Sequence, residues 1–122
     1  MYRVVEMYGD YEPWWFLDGW EHDIVREQVF DKYYDALKYY KTRWLELEKE
    51  FKVYKSRSDL MTVFWKEKDL RWCEECDDYV QQYRSILLLE DDKVIPKSKF
   101  RSGYAKQNSS EKHRICRMKE QK

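Results

Sequence analysis

Two cysteines three positions apart, Cys73-Glu74-Glu75-Cys76, carry the sharpest chemical signal in the chain. Thiolates at that spacing can chelate one metal ion or close a redox disulfide. His113 and Cys116 repeat the spacing downstream, so one expectation is a Cys₃His zinc site made by folding the C-terminal segment back toward Trp72. The acidic neighbours Glu74, Glu75, Asp77 and Asp78 work against a redox role, because negative charge disfavours a thiolate. Three cysteines are an odd number in a chain that needs no staple, which favours reduced, metal-free, structural thiols. The cofactor expectation is therefore none, with zinc as the alternative.

A second constellation is aromatic. Trp14, Trp15 and Trp20 surround Pro13 and Gly19 and can either present a platform to a ring, a base or a partner's apolar side chain, or close one end of the core. Asp18, Glu21, His22 and Asp23 group carboxylates with one imidazole, but no second polar set stands ready to make a catalytic pair, and a solvated turn explains them. The chain has three glycines, all isolated, which excludes a Gly-rich phosphate loop. No catalytic residue is nominated.

Charge is divided unevenly. Residues 1–92 hold 14 Lys and Arg against 22 Asp and Glu, a net −8, whereas residues 93–122 hold 10 against 2, a net +8. Lys97, Lys99, Arg101, Lys106, Lys112, Arg114, Arg117 and Lys119 can neutralise phosphates, with Phe100 and Tyr104 available to stack on bases. The chain's own acidic body is an equally simple partner, so binding to nucleic acid is expected to be tail-driven, weak and steeply salt-dependent.

The elements that position these groups follow from periodicity. Tyr2 to Tyr8 nearly alternates and predicts a strand closed by Gly9-Asp10; Tyr11 to Trp20 predicts a structured loop; Ile24 to Phe30 fits a second strand, while Val25 and Val29 also fit a helical spacing that periodicity alone does not separate from it. Asp31 is the expected N-cap of a helix from about 32 to 51, with Tyr33, Leu37, Tyr40, Trp44, Leu47 and Phe51 on one stripe and charge opposite. Lys49, Lys52 and Lys55 suit its negative end, and Ser56 to Asp59 breaks the pattern. Leu60 to Trp65 and Leu70 to Cys73 predict a hairpin joined by Lys66 to Asp69. Asp77 is expected to cap a short second helix carrying Tyr79, Val80 and Tyr83. Ile86 to Leu89 is a continuous apolar run, the expected well-buried last strand.

The expected architecture is one α+β domain over residues 1–96, a mainly antiparallel sheet of four or five strands packed on one long helix, followed by a basic, disordered, flexible tail over residues 97–122. At 122 residues there is room for one core. No stretch approaches a membrane span and Met1 to Glu6 has no secretory core, so a cytoplasmic location without membrane partners is expected.

Several strings in combination, Met7-Tyr8-Gly9-Asp10, Glu12-Pro13-Trp14-Trp15-Phe16, Asp18-Gly19-Trp20-Glu21, Phe64-Trp65 and Arg71-Trp72-Cys73-Glu74-Glu75-Cys76-Asp77, resemble a group of small uncharacterised proteins of low-GC Gram-positive bacteria, a domain of unknown function. The resemblance runs from Met1 to about Leu89, leaves the tail outside and so argues against the Cys₃His site. It implies no activity or cofactor, and at most a nucleic-acid-related setting, near RNA polymerase subunits and DNA-uptake operons. The favoured functional expectation is a non-enzymatic protein-interaction module using the Trp14, Trp15 and Trp20 loop. An accessory nucleic-acid binder acting through the tail is the alternative, and a zinc or thiol protein using Cys73 and Cys76 is the third.

Overall fold

The computed structural model describes residues 1–15 and 18–108. The chain forms β1 (Tyr2–Gly9), β2 (Ile24–Phe30), α1 (Tyr33–Glu50), β3 (Val53–Arg57), β4 (Met61–Trp65), β5 (Leu70–Cys73), β6 (Asp78–Gln81), β7 (Tyr83–Glu90), β8 (Lys93–Val94) and β9 (Lys106–Gln107), with short 3₁₀ turns between. The main sheet has the order β2-β1-β7-β4-β3-β9, with β8 paired to β7, while β5 and β6 make a separate two-stranded sheet. Among the described residues every pairing is antiparallel. The sheet is larger than the four or five strands expected.

Helix α1 leaves the β2 edge and delivers the chain to β3 near the opposite edge. Its 18 residues rise about 27 Å, enough to cross the four strand spacings, about 19 Å, that separate β2 from β3. It buries Tyr33, Ala36, Tyr40, Trp44 and Leu47, with Phe51 closing the stripe at the C-cap. Leu37 is only partly buried, and Ala36 takes the inner position where the backbone approaches the sheet. Asp31 is not the cap: Lys32 is, with extended backbone and no side-chain cap bond. Pairing of Phe30 with Tyr2 keeps the chain in β2 to that point, so the turn into the helix falls one residue later.

The predicted Leu60–Trp65 and Leu70–Cys73 hairpin does not form. β4 is paired with β3 on one side and β7 on the other, which leaves β5 no edge, and β5 pairs with β6 instead. Residues 78–81, expected in a second short helix, are therefore strand; the short helical pieces among the described residues are single 3₁₀ turns. β3, hidden in a run read as the basic end of the helix, places Tyr54 and Ser56 inward and leaves Lys55 half-covered.

One buried hydroxyl ties these layers together. Thr62 Oγ1 accepts from Trp44 Nε1 at 3.0 Å and shares bonds of 2.8 Å with both Tyr40 Oη and Ser56 Oγ. A hydroxyl has one proton and two lone pairs, so it donates to one of the two oxygens, accepts from the other, and is saturated.

The second face of the sheet carries Val5, Met7, Met61, Leu87 and Leu89, and beside them Val63, Trp65 and Tyr83; Trp14 and Trp20, from the connection between β1 and β2, and Ile24 at the start of β2 pack on these clusters. β7 is thus covered on both faces, as its continuous apolar run requires. Gly19 sits at φ +79°, which L side chains adopt only under strain, and a Cβ there would stand 3.2 Å from the His22 ring. Gly19→Ala is expected to lower unfolding free energy by about 1 kcal/mol in a denaturant titration.

Beyond Pro96 the chain continues across the helix side of the sheet. Ile95 is buried, and Phe100 and Tyr104 pack against the main core beside α1. β9 then adds to β3, with Ser56 opposite Lys106 and Lys55 opposite Gln107. Asn108 locks the end: its Oδ1 accepts from Tyr54 N at 2.7 Å, and its own N–H donates to Tyr54 O at 3.2 Å. Residues 97–108, expected to begin a disordered tail, are a strap on the domain. Residues 109–122 lie outside the described residues.

Candidate functional site

Strap and helix run side by side, and between them lies a groove of about 730 Å³. Its floor and walls are Leu37, Trp44, Leu45, Phe100 and Tyr104, and its rim carries Tyr34, Lys38, Lys41, Arg101 and Lys106; no carboxylate is among the described residues lining it. Trp44 sits at the bottom, edge-on to Tyr104 at 6.0 Å, and the Lys106 ammonium lies 4.7 Å from the centre of its ring. Tyr34 is 68% exposed, with the Arg101 guanidinium 5.8 Å from its ring centre and Tyr33 edge-on at 5.3 Å. Tyr34, Lys38, Lys41 and Leu45 carry no motif, and the sequence signal for them is spacing alone: ring, cation, cation and aliphatic side chain recur at three or four residues along the outer face of α1.

The basic residues nominated from sequence divide into anchors and free cations. Lys99 Nζ donates to the Tyr2 hydroxyl at 2.6 Å and to the Glu90 carboxylate. These bonds, the one to Glu90 first, hold its ammonium well above the ordinary lysine range. Arg101 Nε donates to Tyr33 Oη at 3.0 Å, and its backbone N–H to Ser58 O. Both therefore fasten the strap. Lys97 and Lys106 are exposed, and Arg114 and Arg117 lie outside the described residues.

The three tryptophans of the 11–23 loop are not equivalent. Trp14 and Trp20 are half-buried against the second face of the sheet, Trp14 beneath Lys55 and Arg57, Trp20 beside Arg3. Trp15 is 39% exposed. The loop is mainly a lid, and Trp15 is its one well-exposed indole.

Cys73 and Cys76 flank the tight turn at the tip of the β5–β6 hairpin, their sulfurs 3.1 Å apart and Cys73 buried. Asp77 closes the turn at φ +50°, with its N–H on Glu74 O at 3.2 Å. The base of the hairpin is pinned to the main sheet by Tyr8 Oη on Asp69 at 2.7 Å, by Arg71 on Asp10 and by Gln82 Nε2 on Asp10 at 2.9 Å. Burial, then the Asp69 contact, pushes the Tyr8 hydroxyl up to about 12. His113 and Cys116 lie outside the described residues, and among the described residues no third ligand joins the pair.

The model of a family described as "Protein of unknown function (DUF1033)" matches residues 1–118. The match extends well beyond Leu89, where the resemblance was expected to stop, and includes the strap, His113 and Cys116. No match was found among curated proteins or among solved structures.

Proposed function

The chain belongs to the DUF1033 family, and from the geometry of the groove between α1 and the strap we propose that it is a binding module for single-stranded nucleic acid. The observation that carries this reading is the lining itself: exposed and half-exposed rings interleaved with four cations, with no carboxylate among the described residues that line it, on a body whose first 92 residues are net negative. Rings accept bases of any sequence by stacking, while lysines track phosphates. An acidic peptide would satisfy the cations but leave the platform of Tyr34 and Phe100 without planar partners. Lys38, Lys41 and Lys106 carry the charge, because Arg101 is engaged by Tyr33.

Anisotropy of a labelled oligothymidylate with the full chain tests this. Neutralising about three phosphates predicts a slope of log K against log salt near −2, and Lys41→Glu with Lys106→Glu should remove most of it. Tyr34→Ala should weaken binding roughly fivefold to a hundredfold, the value of one stacked base. Tyr34 also packs on Tyr33 and lies under Arg101, so a parallel urea titration of the variant separates loss of the stacked base from loss of stability. Equal retention of the wild type and the charge-reversed variant at low salt would dismiss the reading. The protein-partner reading of the aromatic loop now concentrates on Trp15, because Trp14 and Trp20 pack on the sheet.

A further inference from the structure

We propose that the β5–β6 hairpin of one chain docks in the groove between α1 and the strap of a second copy. Both halves of the contact stand on every molecule, and each supplies what the other lacks. The first half is the hairpin. Leu70 and Trp72 on β5 and Tyr79 on β6 share one face, because Trp72 is opposite Tyr79 and Leu70 opposite Gln81. Cys73 and Val80 take the other face and are buried. Trp72 is 45% exposed, Tyr79 50% and Leu70 36%, and the two rings meet edge-on at 5.1 Å. The connecting turn adds the exposed carboxylates of Glu74, Glu75 and Asp77. Contiguous rings and a leucine left open in this way mark an interaction surface.

The hairpin is also fixed in shape before it meets anything. Tyr8 Oη donates to Asp69 at 2.7 Å and Arg71 Nε to Asp10 at 2.9 Å. Gln81 Nε2 donates to the carbonyls of Lys66 and Asp69 at 2.7 and 2.9 Å. A ribbon held at its base loses little further freedom on docking.

The second half is the groove. It offers an apolar floor around Trp44 and a rim of Lys38, Lys41 and Lys106, with no carboxylate among the described residues that line it. Its volume of about 730 Å³ is in the range that accepts a drug-sized group, so the rings of the hairpin enter and not the whole ribbon. An acidic ligand without rings would leave the aromatic platform uncovered, whereas this hairpin brings carboxylates and rings together. Charge complementarity of that kind fixes partner and orientation more than it adds affinity. The hairpin does not serve its own groove: it is pinned to Tyr8 and Asp10 at the end of β1, while Trp44 on the groove floor packs on Tyr54 of β3, toward the other edge of the sheet. Hairpin and groove are different patches, so the contact is heterologous and can add copies head to tail. One hairpin in one groove buries less than the roughly 1,200 Å² of stable complexes, which makes the association weak and reversible. The contact uses the geometry of the groove and is independent of nucleic acid.

Sedimentation of the full chain at low salt, over rising protein concentration, tests this. The weight-average mass should climb above that of one chain and fall back as salt is raised from about 0.05 to 0.5 M. Trp72→Ala should weaken association about tenfold, as loss of a central indole does. Glu74→Lys with Glu75→Lys, and separately Lys41→Glu with Lys106→Glu, should each leave a monomer, and mixing these two variants should restore association because the reversed charges again match. All four charge changes are at exposed positions, and far-ultraviolet dichroism confirms that each variant is folded. A wild type that stays monomeric up to about 1 mM, association that survives either charge reversal, or a mixture that stays monomeric would overturn the proposal. Oligothymidylate binding without self-association removes this contact alone, and self-association without oligothymidylate binding removes only the nucleic-acid reading.

Discussion

Trp44→Ala is expected to lower the unfolding free energy by about 3 to 5 kcal/mol, as large-to-small replacements of buried aromatics do. The indole is 2% exposed and lies where the helix, the sheet and the strap meet. Its ring centre is 5.1 Å from Tyr54 on β3, 5.5 Å from Phe64 on β4 and 6.0 Å from Tyr104 on the strap, each approached near edge-on. Three elements distant in sequence therefore lose a common packing partner at once. The substitution also deletes the Nε1 donor to Thr62 Oγ1, and Lys106 loses the ring beneath its ammonium. Equilibrium urea unfolding measures the first effect. Oligothymidylate binding by the fraction still folded measures the second, which should fall because the floor of the groove has gone. Trp44→Phe separates the two contributions: most of the packing is kept, the donor is lost, and about 1 kcal/mol is expected. A loss under 1 kcal/mol for Trp44→Ala would contradict the central position assigned to this residue.

Glu6→Ala should cost a comparable amount, about 3 to 5 kcal/mol, for an electrostatic reason. Glu6 is 1% exposed on the helix side of β1. It accepts from Arg43 Nε and Nη2 at 2.7 and 2.9 Å and from Arg84 Nη2 at 2.7 Å, so one carboxylate joins α1, β1 and β7. Removing it leaves two guanidiniums in partly buried positions; Arg43 keeps Glu46 at 2.7 Å, while the Arg84 Nε atom is already without a hydrogen-bond partner. Burial by itself pushes the Glu6 carboxyl up, but the hydrogen bonds and charges of Arg43 and Arg84 outweigh it and hold the group below its ordinary value of 4.5. A depressed folded value means that the contribution is fully present above the unfolded carboxyl range and is lost as pH falls through the folded value. The unfolding free energy of the wild type should therefore decline below about pH 4.5 more steeply than that of Glu6→Gln. Parallel acid profiles for the two proteins would show that Glu6 is not the group responsible. A double-mutant cycle with Arg43→Ala should return a coupling energy well above that of a surface pair.

Local periodicity determined much of this protein. Apolar side chains recurring at three and four residues from Tyr33 to Phe51 place one long helix, near-alternation from Tyr2 to Tyr8 places β1, and the unbroken run Ile86 to Leu89 marks a strand covered on both faces. These signals are legible because they depend on how one segment presents itself to any core. Strand partners are a different matter, since a strand's period states which face is apolar and not which edge is free. β5 looks like the return arm for β4 until β3 and β7 occupy both of its edges. Burial of polar groups is likewise non-local. Ser56 and Thr62 are polar residue types whose burial no local pattern announces, and their hydroxyls are satisfied in the interior because Tyr40 and Trp44 arrive from α1 with matching donors and acceptors. The same holds for Glu6, whose carboxylate in an inward position is tolerable once Arg43 and Arg84 converge on it. The strap was the hardest to see: Phe100 and Tyr104 are too scattered in a basic sequence to announce a core element, and they order because the seam between α1 and β3 is already there to receive them. The groove arises from that docking, so its cations and rings, drawn from two segments about sixty residues apart, acquire a common purpose only in the folded chain.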